Sequence, residues 1–166
     1  MGHIVTPFTQ NIIQHSHLIG EFNVTKTKIK FETHIRKSSG QLDRKFFIEM
    51  GDVVYFLIAD DELIKIGKAE GAGGFYSRMQ QYCKGLTGDQ TNRKILNYMS
   101  SIGKDNIKIY AVQTAKILAE DIDLLTGEKF EFLVSTANRH EQHYIQSAYK
   151  AGERLLCCSE KDKNGS

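Results

Sequence analysis

Residues 53–69, VVYFLIADDELIKIGKA, hold two apolar runs, VVYFLIA and ELIKIG, on either side of the polar turn Asp60-Asp61-Glu62. Apolar runs with so short a connection pair as antiparallel neighbours, so the rest of the chain must be arranged around a β-hairpin. The strands of that hairpin also carry Tyr55 and Lys65. A core needs neither a hydroxyl nor an ammonium, and these two residues raise the question of function.

Around the hairpin the pattern alternates between β and α. Thr6-Pro7 predicts a short helix, with threonine as cap and proline at the first helical position, and Phe8, Ile12 and Ile13 facing inward. KIKFETHIR (28–36) sets Ile29, Phe31, Thr33 and Ile35 against Lys28, Lys30, Glu32, His34 and Arg36, the alternation of a half-buried strand. Ser38-Ser39-Gly40 marks a turn, and FFIEM after it reads as further β structure. The glycines at 71–74 lead into a helix, FYSRMQQYCKG, closed by Gly85. A second helix fits 91–102, capped by Asp89 or Thr91, with Ile95, Leu96, Met99 and Ile102 on one face. NIKIYAVQT (106–114) and KFEFLVS (129–135) read as strands, the latter after a turn at 125–128, and a last helix spans 138–151 before Gly152. The expected class is α+β, a small antiparallel sheet flanked by helices.

Composition excludes several functions. No run approaches the roughly 18 apolar residues of a membrane span. Met1 is not followed by a basic segment and an apolar run, and the three cysteines, Cys83, Cys157 and Cys158, lack C-x-x-C spacing. Reduced thiols in a cytoplasmic protein are therefore expected. The net charge is only +2, but residues 26–45 and 78–116 each hold seven Lys or Arg against two acids, whereas 117–153 hold seven acids against three bases. Two basic stretches suit either a phosphate-binding footprint or ordinary solvated faces. Glu62 stands where a phosphate loop ending in Gly67-Lys68 needs glycine, and G-x-G-x-x-G is absent. In His140-Glu141-Gln142-His143 the histidines are three apart, not the four of the zinc-protease helix motif.

What remains is a set of polar residues among apolar neighbours: Tyr55, Lys65, Arg78, Tyr82 and Glu141. Each has a plain structural reading. Tyr55 suits a core aromatic, Lys65 an exposed strand residue, Arg78 a surface helix charge, and Glu141 the third helical residue of a capping box begun by Asn138.

In order and spacing, the five resemble the site of the GIY-YIG nuclease family. Val53-Val54-Tyr55 stands for the first motif and Lys65-Ile66-Gly67, ten residues on, for the second. Arg78 takes the arginine position on the next helix, Tyr82 follows at four residues, and Glu141 in EQHYIQSAYK takes the glutamate position. The likeness covers roughly residues 52–151. Val53 departs from the family's usual glycine, Lys65 replaces its second tyrosine as in some restriction-type and phage-type branches, and the asparagine after the last helix has no clear counterpart.

The resemblance implies a GIY-YIG-like fold with a catalytic core at 52–151. It leaves 1–51 as a helix and β-rich extension for DNA binding or dimerisation, and 152–166 as a tail, all in one compact domain. It implies an endonuclease hydrolysing DNA with one Mg²⁺ per active site, Mn²⁺ as a substitute, and 5′-phosphate and 3′-hydroxyl products. Lacking a long DNA-binding tail, the chain is most like the compact type II restriction enzymes, which suggests a homodimer. Free tyrosine titrates near 10, so a phenol base at this position needs a neighbouring cation, which Lys65 could supply. Arg78 suits the scissile phosphate, Glu141 suits the metal, and Tyr82 would reach the same phosphate or the attacking water. Lys28, Lys30, Arg36, Lys37, Lys68, Arg93 and Lys94 are the expected DNA contacts. The alternatives are a non-catalytic nucleic-acid-binding module of the same fold, or a nuclease of RNA or branched DNA.

Overall fold

The hairpin forms as the sequence predicts. In a computed structural model, which describes residues 4–25, 28–41, 43–71, 74–83 and 90–156, β3 (Val53–Ala59) and β4 (Glu62–Ala69) pair antiparallel. Asp60 and Asp61 form the connection with φ of 51° and 63°. Both values are left-handed, as a two-residue type I′ turn requires, and aspartate tolerates that region better than most side chains.

This hairpin is one side of a five-stranded sheet of order β2-β1-β5-β3-β4, with every neighbouring pair antiparallel. The other strands are β1 (His17–Val24), β2 (Ile29–Thr33) and β5 (Asn106–Gln113). Cores form on both faces, which is why VVYFLIA is buried throughout. Val53, Tyr55, Leu57 and Ala59 belong to one core with Phe22, Phe47, Phe75, Met79, Ile95 and Met99. These side chains bring in α2 (Arg44–Met50), α3 (Gly74–Cys83) and α4 (Gln90–Ile102). Val54, Phe56 and Ile58 face the other core with Ile12 of α1 (Pro7–His15) and Ile145 and Ala148 of α5 (Ala137–Lys150). Each fully covered Leu, Ile or Phe contributes about 1.5–3 kcal/mol.

The N-terminal strands belong to this same sheet, because β1 pairs with β5 as well as with β2. The ends of the described chain are also tied together. Thr6 caps α1 by accepting from Thr9 N–H at 3.1 Å, and the hydroxyls of Thr6 and Thr9 both donate to buried Glu153 beyond α5.

Several local outcomes differ from the sequence expectations; α4 begins at Gln90, so Thr91 lies inside it and is not its cap, and Lys116–Ile122 is a strand that no expectation covers. FFIEM is the body of helix α2 and not β structure. Asp43 Oδ1 accepts from Phe46 N–H at 3.1 Å, and this cap starts a helix that sets Phe47 and Met50 on one buried face. Local capping and helical spacing outweigh the β preference of the two phenylalanines. Strand β1 carries no alternation that predicts it, because its register shifts between Leu18 and Gly20. At Gly20 a Cβ would lie 2.4 Å from the Glu32 carbonyl oxygen, so only glycine permits this approach. Strand β2 ends at Thr33, short of the expected 36. The Thr33 hydroxyl donates to Ile19 O at 2.9 Å and accepts from Ile35 N–H at 3.0 Å, which turns the chain away.

β6 (Lys116–Ile122) and β7 (Lys129–Ser135) form a separate two-stranded sheet. The expected helix end at Gly85, the Asp89 cap, Cys157 and Cys158 lie outside the described residues. No described helix is long and apolar enough to cross a membrane.

Candidate active site

In the register of the hairpin Tyr55 lies across from Gly67 and Leu57 across from Lys65. Cross-strand partners share a face, so Tyr55 and Lys65 point to the same side of the sheet. Tyr55 is fully buried. Its hydroxyl shares a 2.8 Å hydrogen bond with the Tyr82 hydroxyl and accepts one from Arg78 Nε at 3.2 Å. Its ring passes beneath Gly67, where an added Cβ would lie 2.3 Å from Tyr55 Cζ and 2.4 Å from its hydroxyl oxygen.

Helix α3 supplies the partners through its spacing. Phe75, Met79 and Tyr82 form the buried stripe, while Arg78 sits at the margin of that stripe, half-buried. Four residues separate Arg78 from Tyr82, so the guanidinium stands 5.5 Å from the Tyr82 ring centroid. Arg78 Nη1 also donates to Gln81 Oε1 at 2.9 Å.

Above this group opens a cleft of about 510 Å³ whose lining includes Lys65, Lys68, Glu70, Arg78, Gln81 and Glu141. Glu141 comes from α5, which packs on the opposite face of the sheet through Ile145 and Ala148. It reaches the cleft because β4 is an edge strand, with no further strand beside it among the described residues. Lys68 Nζ lies 3.0 Å from Glu70 Oε1. The cleft-facing side chains carry three positive and two negative charges, a balance that draws in an anion.

The capping-box reading of Glu141 does not hold. Helix α5 begins at Ala137 with Thr136 as the preceding cap residue, so Glu141 is the fifth helical residue. The Thr136 hydroxyl is engaged by Ala115 O at 2.5 Å. His140 and His143 are ring partners of Tyr144, with centroids 6.1 and 5.5 Å away. Among the described residues, no group of three or more His, Cys, Asp or Glu is placed to hold an ion. A hard cation that takes one carboxylate from the protein and its other ligands from water and phosphate oxygens suits Glu141.

The structure thus brings Lys65, Arg78 and Glu141 to one cleft, puts Tyr55 and Tyr82 under its floor, and sets Lys68 on its wall. Tyr82 is 4% exposed and reaches the Tyr55 hydroxyl instead of the open cleft. The other basic residues are not brought to the cleft. Lys28 and Lys30 lie at β2, the far edge of the sheet, four strand spacings or about 19 Å from β4. Lys30 Nζ lies 3.7 Å from Glu32, Arg36 donates to Gly40 O at 3.1 Å, and Lys37, Arg93 and Lys94 are exposed.

One residue was missed altogether. Asp52 is buried just before β3 and accepts from Gly71 N–H at 2.6 Å, fixing the turn that leads to α3 and Arg78. Burial raises its pKa, but the Ser135 hydroxyl, the Gly71 amide and the charge of Lys116 together outweigh it and hold the carboxyl below its ordinary value.

No family model matches the chain, and no curated protein matches it in sequence. The fold is similar to that of a mutant of bacteriophage T4 EndoII, with a TM-score of 0.54 at 17% identity over 84% of this chain and 94% of that one. Restriction endonuclease HPY188I in complex with product DNA aligns with a TM-score of 0.49 at 17% identity, over 94% of this chain and 87% of that one. The α+β architecture with its antiparallel five-stranded sheet is therefore shared with a solved structure.

Proposed function

We propose that the protein is a Mg²⁺-dependent endonuclease that hydrolyses DNA phosphodiester bonds, with the cleft between β4, α3 and α5 as its active site. The observation that carries this reading is the meeting of Lys65, Arg78 and Glu141 on one cleft directly above the Tyr55 hydroxyl. The fold shared with EndoII, an endonuclease by name, agrees with it.

Each side chain has a task that its position allows. Arg78 presents its guanidinium to the scissile phosphate, where forked donors match the oxygen geometry better than lysine does. Lys65 adds positive charge against the non-bridging oxygens. Gly67 makes room for the phenol beneath the cleft, where Arg78 holds its hydroxyl, and in this reading Tyr55 takes the proton of the attacking water. Arg78 at its oxygen and Lys65 on the same face meet the negative charge that this role requires. Tyr82 holds the Tyr55 hydroxyl in place. Glu141 would hold Mg²⁺, which when bound polarises the phosphate and stabilises the leaving oxygen. The products are 5′-phosphate and 3′-hydroxyl ends, and the reading is of a type II restriction enzyme. One such site cuts one strand, so a double-strand cut needs two protomers or two visits.

One observation favours a second reading. The Tyr55 hydroxyl is wholly covered, which suits a nucleic-acid-binding module as well as an enzyme. Plasmid incubated with protein and Mg²⁺, in parallel with EDTA, decides between them. Metal-dependent nicking with discrete, mappable ends is expected; DNA binding without it leaves the module.

A further inference from the structure

The β6–β7 hairpin stands apart from both cores: none of residues 116–135 belongs to either hydrophobic cluster. Among the described residues, eight of the twelve large hydrophobic side chains left exposed fall within these twenty residues. Leu124 and Leu125 at the tip are 98% and 96% exposed. The pairing register puts Ile117, Ala119, Phe130, Phe132 and Val134 on one face, and Leu118, Ile122 and Leu133 on the other. A two-stranded ribbon is marginal in water by itself, and apolar surface on this scale marks an interaction site.

Charge narrows the choice of occupant. Glu120 lies directly across from Glu131 on the leucine-bearing face, an unfavourable pair until a cation lies against it. Over 116–135 five carboxylates face two lysines, three net negative charges, which repel nucleic acid and anionic membranes. The other 146 residues hold twenty Lys and Arg against fifteen Asp and Glu, so the body of the chain has the complementary sign. Two hairpins laid on each other would oppose acid to acid, whereas a hairpin laid on the body of a second copy meets a part of the chain with the opposite net charge. Twenty residues also match the roughly 20–30 that each side of a standard interface contributes.

We propose that residues 116–135 are an assembly arm by which two copies of this chain clasp each other reciprocally, each arm lying on the basic body of the other. This deepens the two-protomer reading above and identifies the element that joins them. The root of the arm flanks Asp52, through Lys116 and Ser135, and Asp52 holds the turn before α3. Clasping therefore bears on the segment that carries Arg78.

Sedimentation velocity over a concentration series, with no DNA present, tests it. The wild-type chain should sediment as a dimer. Phe130→Ser with Phe132→Ser, and separately Glu120→Lys with Glu131→Lys, should weaken the dimer by at least about tenfold. Leu124→Gln with Leu125→Gln, at the solvent-exposed tip where folding is unaffected, should weaken it as well, with circular dichroism unchanged. A monomeric wild type, or dimers that persist undiminished in the tip and charge variants, would overturn the proposal. Because assembly is read without DNA, failure of the nuclease reading would leave this result standing, and the reverse also holds.

Discussion

The Tyr55 ring occupies the space that a side chain at position 67 would fill: a Cβ there would meet Tyr55 Cζ at 2.3 Å. Gly67→Ala should therefore destabilise the protein by about 1–3 kcal/mol, the usual cost of overpacking a filled site. Urea unfolding reads this directly. In a double-mutant cycle with Tyr55→Ala, which removes the clashing ring, the Gly67→Ala penalty should largely disappear. Additive effects would show that the two positions do not meet.

Tyr55→Phe keeps the ring and removes the hydroxyl that bonds Tyr82 and Arg78. Losing a network bond of this kind costs about 1 kcal/mol, a modest fall in Tm. If the hydroxyl takes the proton of the attacking water, nicking should fall about 10²-fold or more, the usual worth of a positioned base. Supercoiled-plasmid nicking beside a thermal melt separates the two effects. A variant with undiminished nicking would leave Tyr55 a structural residue.

Glu141 and Arg78 approach the cleft from different helices and should fail differently. Glu141→Gln removes the carboxylate that suits a metal and should abolish nicking at low Mg²⁺ while DNA binding in EDTA is retained. Arg78→Lys keeps the charge and loses the forked donor, and about 10²-fold in rate is the expected loss even at saturating Mg²⁺. Rate against Mg²⁺ concentration, measured for both variants, distinguishes a metal defect from a phosphate defect. Identical curves would count against separate roles.

The residues that meet at the cleft were legible through their order and spacing, which resemble the GIY-YIG site; taken singly, each has a plain structural reading. What could not be read depended on contacts between distant segments. Gly67 is legible as part of the second motif, but that its backbone lies over the Tyr55 ring is set by the register alone. β1 hides behind the register shift at Gly20, and α2 behind two aromatics whose helical state is decided by the Asp43 cap. The basic residues of β2 were legible as charge, but strand order carries them to the far edge of the sheet, and strand order is not written in charge.

Asp52 gives the fold a pH signature. It is 3% exposed, and burial alone would push its carboxyl up, but Ser135, the Gly71 amide and Lys116 hold it below its ordinary value of 3.8. A carboxyl depressed by folding stabilises the folded state at every pH above its unfolded value. That contribution is lost as pH falls through the lower folded value, because protonation then occurs in both states. Asp52→Asn should cost about 1 kcal/mol at neutral pH. The gap between variant and wild type should close only when the pH falls below 3.8. Urea midpoints of the two proteins from neutral pH into acid give the curve. A gap that stays constant, or widens, toward low pH would mean that Asp52 does not carry the charge that ties the turn before α3 to the root of the β6–β7 hairpin.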